Sequence, residues 1–148
     1  MSLESQIQTD LKAAMLARDE AALRALRAVK SAILLAKTSG EGSLSSEEEL
    51  KMLQKLVKQR KESIEIYEKE GRNDLAKSEK EEVAVIEKFL PAQMSEDEVK
   101  IEVKKIIQST GAKSAADMGK VMGIASKQLA GKADNKMVAT IVKMLLSQ

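Results

Sequence analysis

Apolar residues recur at three- and four-residue spacing almost from end to end of the chain, with few alternating β-branched runs, and that period predicts helices rather than strands. Leu3, Ile7, Leu11 and Ala14 mark a first helix. Asp19 is placed to cap a second, whose inward stripe reads Ala22, Leu26, Val29, Ile33 and Ala36. The segment "TSGEGS" then breaks the pattern into a loop. Ser45 and Glu48 have the spacing of a capping box, in which hydroxyl and carboxylate each satisfy a backbone donor of the first turn. The helix they open carries Leu50, Leu53, Val57, Ile64 and Tyr67 and stops at Gly71, a length of roughly 37 Å. Asn73 is the expected cap of the next helix, which carries Leu75, Val83, Ile86 and Leu90 before Pro91 ends it.

The segment "LPAQMSEDE" is the expected domain boundary, because the only proline meets a short polar stretch and Ser95 with Glu98 repeats the capping-box spacing. Residues 1–94 are read as an amino-terminal helical domain built on a long hairpin, and residues 95–148 as a small three-helix domain. In the second, Val99, Val103 and Ile106 precede Gly111, Ser114 starts the middle helix, and Asp134 caps the last, with Val138, Ile141, Val142 and Leu145 facing inward. The expected class is all-α.

Composition narrows the chemistry. The chain of 148 residues is 43% hydrophobic and 32% charged, which argues for a folded, charge-coated protein. Tyr67 and Phe89 are its only aromatic residues, so the core is aliphatic. No apolar run approaches the roughly 18 residues of a membrane span. "MSLESQIQTD" lacks the basic-then-apolar order of a signal peptide, and with no Cys the sequence reads as a cytoplasmic, bacterial-style protein with no membrane partner. The absence of His and Cys excludes a Ser-His-Asp triad, a thiolate nucleophile and an ordinary zinc site. Glu62, Glu65, Glu79 and Glu82 are dense enough to raise a metal or acid–base site, but a di-iron bundle needs Glu-x-x-His pairs. Surface ion pairs such as Glu65 with Lys69 account for them better. Arg27, Lys30 and Arg60, close to apolar stripes, are read as partners of carboxylates in the bundle. No catalytic residue, cofactor or metal is expected.

Charge is unevenly placed. Residues 1–94 carry a net −1 and residues 95–148 a net +3; after Glu102, eight lysines face only Asp117 and Asp134. Such a set can neutralise a nucleic-acid backbone with little sequence preference, or it can simply keep a helix surface soluble. Lys113, Lys120, Lys127, Lys132 and Lys136 are the candidate phosphate contacts; Lys120 and Lys127, seven apart, share a helix face, as do Lys136 and Lys143. Gly119 and Gly123, within "DMGKVMG", strip side chains from one stripe so that a packed helix or a sugar–phosphate chain can come close. Packing is the commoner reason for glycine inside a helix. Met118 and Met122 are assigned to the core. A phosphate-binding loop fails on G-x-x-x-x-G-K-[ST], since Val121 follows Lys120 and Ala133 follows Lys132, with Ser114 and Ser126 where the first glycine belongs.

"LRALRAVKSAI", "RKESIEIYEKEGRNDLA", "FLPAQ" and "DMGKVMG" followed by "GKAD" resemble, in order and spacing, the YqeY family, over nearly the whole chain. That family is similar to the carboxy-terminal helical and tail region of GatB, the B subunit of glutamine-dependent tRNA amidotransferase. Asn135 departs from the family pattern, which has Gly after "GKAD". The resemblance implies a helical domain followed by a three-helix tail that contacts tRNA away from the acceptor end. The carbon–nitrogen ligase chemistry with glutamine as amido donor belongs to a GatB domain absent from this sequence. The expected function is therefore a non-catalytic module for tRNA or structured RNA; the alternative is a protein–protein adaptor in a translation or amidotransferase assembly.

Overall fold

The structure, a computed structural model, describes residues 2–40 and 42–147. Every regular element among the described residues is helical, and the chain divides into two compact units, Met1–Pro91 and Ala92–Gln148.

The first unit contains α1 (Leu3–Ala17), α2 (Glu20–Ser39), α3 (Ser46–Lys69) and α4 (Asn73–Glu87). A tight reversal joins α1 to α2: Arg18 takes a left-handed conformation at φ 54°, and Asp19 then caps α2 by accepting a hydrogen bond from the Ala22 N–H. Ser45 and Glu48 close the reciprocal capping box at the start of α3. Gly71, at φ 74°, turns the chain into α4. Asn73 does not cap α4, contrary to expectation; it is already the first helical residue, and Arg72 precedes it without a capping side chain. The first turn is served instead by Asp74, whose carboxylate bonds Arg72 and the Leu75 N–H and is thereby held below its ordinary pKa.

α3 and α4 form the long hairpin, and α2 lies against both while also holding α1. Ile7, Leu26, Val29, Ile33, Leu53, Val57, Val83 and Ile86 fill the core. Charged side chains lace its rim. Arg60 reaches Glu82 at 3.4 Å and the Leu56 carbonyl at 3.1 Å, and Arg24 reaches Glu81 and Glu82 at 3.3 and 3.8 Å. Arg60 thus pairs as expected. Arg27 and Lys30 do not: both are exposed and make no ion pair among the described residues. The Glu82 carboxylate is taken by Arg24 and Arg60 instead.

The second unit contains α5 (Glu96–Thr110), a single 3₁₀ turn (Ala115–Asp117), α6 (Met118–Gln128) and α7 (Asn135–Leu146). Ser95 and Glu98 box the start of α5, Gly111 at φ 70° ends it, and Asp134 caps α7 through the Lys136 N–H. The three helices pack on one another around Val99, Val103, Ile106, Val121, Ala125, Val138, Ile141 and Val142. Met118 and Met122 flank this core. As expected, Ser114 caps the start of the middle helical stretch, whose first turn is 3₁₀ and runs directly into α6. Asn135 opens α7 without a positive φ, so this position makes no demand for glycine.

Candidate nucleic-acid interface

The core face of α6 fixes what its opposite face presents. Val121 and Ala125 are fully buried, and each residue turns the helix by about 100°, so Gly119 and Gly123 lie about 200° from them. Both glycines are exposed, and a Cβ built on either meets nothing within 4 Å. The packing explanation for the pair is overturned: no part of the chain described here lies against them. The periodicity already held this answer, since Val121 and Ala125 mark the inward side.

Around the bare stripe lies an open depression of about 420 Å³ lined by Gly119, Lys120, Gly123, Ile124, Lys127 and Gln128. Two ammonium groups, one amide and an aliphatic side chain surround exposed helix backbone, with no carboxylate in the lining. Sequence reasoning missed Ile124 and Gln128, which share the face of Lys120 and Lys127 by the same helical geometry.

The other candidate lysines do not line this depression. Lys113 precedes the 3₁₀ turn, Lys132 lies in the connection from α6 to α7, and Lys136 is in the first turn of α7. All three are exposed. Hydrogen bonds to its carbonyls hold the Lys132 segment in place: the Met94 N–H donates to the Lys132 carbonyl at 2.9 Å, and the Gln93 side-chain amide to that of Gly131 at 2.6 Å.

Ion pairing leaves the second unit's positive charge open. Lys100 and Lys105 reach Glu96 and Glu102, whereas Lys104, Lys113, Lys120, Lys127, Lys132, Lys136 and Lys143 pair with no carboxylate among the described residues. Asp117 is engaged elsewhere. Its carboxylate accepts hydrogen bonds from the backbone N–H groups of Lys113 and Ser114, and these, with the field of Lys120, hold its pKa below the ordinary carboxylate value.

The chain has no His or Cys, and among the described residues no three Asp or Glu converge to hold a metal. Glu65 pairs with Lys69 at 3.5 Å, and Glu82 with the arginines above. No described helix is long and apolar enough to cross a membrane.

The class so defined is an all-helical protein of two units whose second unit carries an uncompensated basic surface. The chain belongs to the Yqey-like protein family, whose model matches residues 4–146. It is 31% identical over 139 residues to the Saccharomyces cerevisiae protein "Altered inheritance of mitochondria protein 41, mitochondrial", covering 92% of this chain and 72% of that one. The protein of the same name from Clavispora lusitaniae is 32% identical over 117 residues, covering 77% and 68%. These relatives correct the expectation of a cytoplasmic, bacterial-style protein: the named proteins it matches are fungal and mitochondrial.

Proposed function

We propose that this chain is a non-catalytic module that binds tRNA or another structured RNA through the outer face of α6. The observation that carries the reading is the pairing of Lys120 and Lys127, neither of which makes an ion pair among the described residues, with a glycine stripe against which no described residue packs. Two glycines inside a helix cost about 1 kcal/mol each relative to alanine, and the fold recovers none of that by packing. A ligand that comes close to the helix backbone would recover it. Lys113, Lys132 and Lys136 add positive charge outside the depression and would extend the contact to further phosphates. The similarity of the family to the GatB tail supports the same reading.

Purified chain titrated with tRNA across a salt series tests it. The expected affinity falls steeply with salt, and Lys120→Glu with Lys127→Glu lowers it further while reducing the salt slope by about 1 per lysine. A salt-independent affinity, or one indifferent to both substitutions, overturns the proposal. The reading as an adaptor rests on Leu34 and Leu35 of α2, exposed at 62% and 69%. A partner retained after RNase treatment and lost on Leu34→Ser with Leu35→Ser would favour it. Neither reading gives the isolated chain the power to convert misacylated tRNA with glutamine.

A further inference from the structure

The chemistry of the α6 face also bears on which form of RNA it accepts, an inference that rests on the RNA reading above. Sequence-tolerant binding of single strands relies on aromatic platforms on which successive bases stack. The second unit contains none: Tyr67 and Phe89 both belong to the first. What α6 offers instead is a broad, low surface. Lys120 and Lys127 stand about 10.5 Å apart along the axis, far enough to reach separate phosphates. Gly119 and Gly123 leave the backbone bare alongside them, Ile124 presents an aliphatic contact, and Gln128 supplies an amide that both donates and accepts.

A-form RNA displays a wide, shallow minor groove edged by phosphates and lined by 2′-hydroxyls and sugar edges. We infer that the α6 face docks on the minor groove of base-paired RNA, the lysines reaching phosphates, the glycine stripe admitting the sugar edges, and Gln128 bonding a 2′-hydroxyl. Recognition of this kind reads helical shape and the ribose rather than base sequence.

The test uses the full chain and three probes: an RNA duplex, a DNA duplex of the same sequence, each of about 16 base pairs, and one RNA strand alone. The RNA duplex is expected to bind best, with the DNA duplex and the single strand each weaker by about tenfold, the equivalent of one or two hydrogen bonds. Gly119→Ala with Gly123→Ala is expected to erase most of that preference in a chain that remains folded, as checked by its circular dichroism melt. A single strand that binds as tightly as the duplex, or equal affinities for RNA and DNA duplexes, overturns this inference and leaves the RNA-binding reading standing. Failure of all three probes and of tRNA to bind overturns both.

Discussion

Gln93 and Gly131, 38 residues apart, are joined by a 2.6 Å hydrogen bond from the side-chain amide to the carbonyl, so the residues just before α5 clamp the "GKAD" loop. The adjacent Met94 N–H to Lys132 carbonyl bond gives the clamp a second hydrogen bond. Gly131 itself is buried and takes φ 75°, a conformation that costs an L-residue about 1–2 kcal/mol. Gly131→Ala is therefore expected to destabilise the second unit by at least that amount in denaturant titrations. Gln93→Ala should cost about 0.5–1.5 kcal/mol and speed amide exchange at residues 131–133.

The opposite sign is expected at Gly119 and Gly123. Neither has a positive φ and neither position is occupied by a neighbour, so alanine fits without strain. Each Gly→Ala substitution should raise stability by about 0.5–1 kcal/mol, measured by thermal or chemical unfolding. Weaker RNA binding by the same, more stable variants would separate a ligand's demand for bare backbone from any structural role. Unchanged binding would remove the glycines from the interface.

Arg18 is the one described non-glycine residue with positive φ. Its side chain is exposed, and its backbone N–H caps α1 by donating to the carbonyls of Ala14 and Met15. Arg18→Gly keeps that cap and removes the left-handed strain, so unfolding free energy should rise by about 1 kcal/mol. A loss of stability would show that the arginine side chain makes a compensating contact.

Glu82 is shared by Arg24 and Arg60, and the Arg60–Glu82 pair is only 16% and 13% exposed. Glu82→Ala leaves a half-buried guanidinium without its carboxylate and should cost the first unit roughly 1–3 kcal/mol. Glu81→Ala, at a 40% exposed position, should cost less than 1 kcal/mol. Equal effects of the two would mean that burial does not govern this network.

Acid should loosen two helix starts. Backbone and side-chain hydrogen bonds from Ser45 lower the pKa of Glu48, as the N–H groups of Lys113 and Ser114 lower that of Asp117. A folded pKa below the unfolded one stabilises the fold above the unfolded value, and that contribution disappears as pH falls through the lower, folded value. Amide protection at Lys113 and Ser114, corrected for intrinsic exchange, should therefore drop below about pH 4. Asp117→Asn should flatten that dependence; an unchanged profile would assign the acid transition to other carboxylates.

Much of the fold was legible because its boundaries are written in local chemistry. Ser45 with Glu48, Ser95 with Glu98, Asp19, Asp134, Gly71 and Gly111 act within a turn or two of their own positions, where sequence spacing fixes geometry. The misreadings arose where a neighbour decides the outcome. Asn73 yields the first turn of α4 to the Arg72–Asp74 pair; Ser114 does open the middle helical stretch, through a 3₁₀ turn that Asp117 sets by reaching back to two backbone donors and that runs directly into α6. Gly119 and Gly123 looked like packing residues because glycine pairs so often are; the phase set by Val121 and Ala125 places them outside. At the candidate site, Lys120 and Lys127 were paired correctly on one face by their spacing. Lys113, Lys132 and Lys136 were grouped with them by charge alone, and charge along a sequence carries no information on which surface a loop presents.

The placement of the aromatic residues also divides the molecule optically. With no tryptophan, and with its single tyrosine, Tyr67, on α3, the chain's ultraviolet emission reports the first unit alone. Melting of the second unit, or the arrival of RNA on α6, would register in that signal only as far as it reaches the first unit. Comparing the tyrosine signal with backbone circular dichroism would therefore reveal whether the halves of this chain unfold, and sense a ligand, independently.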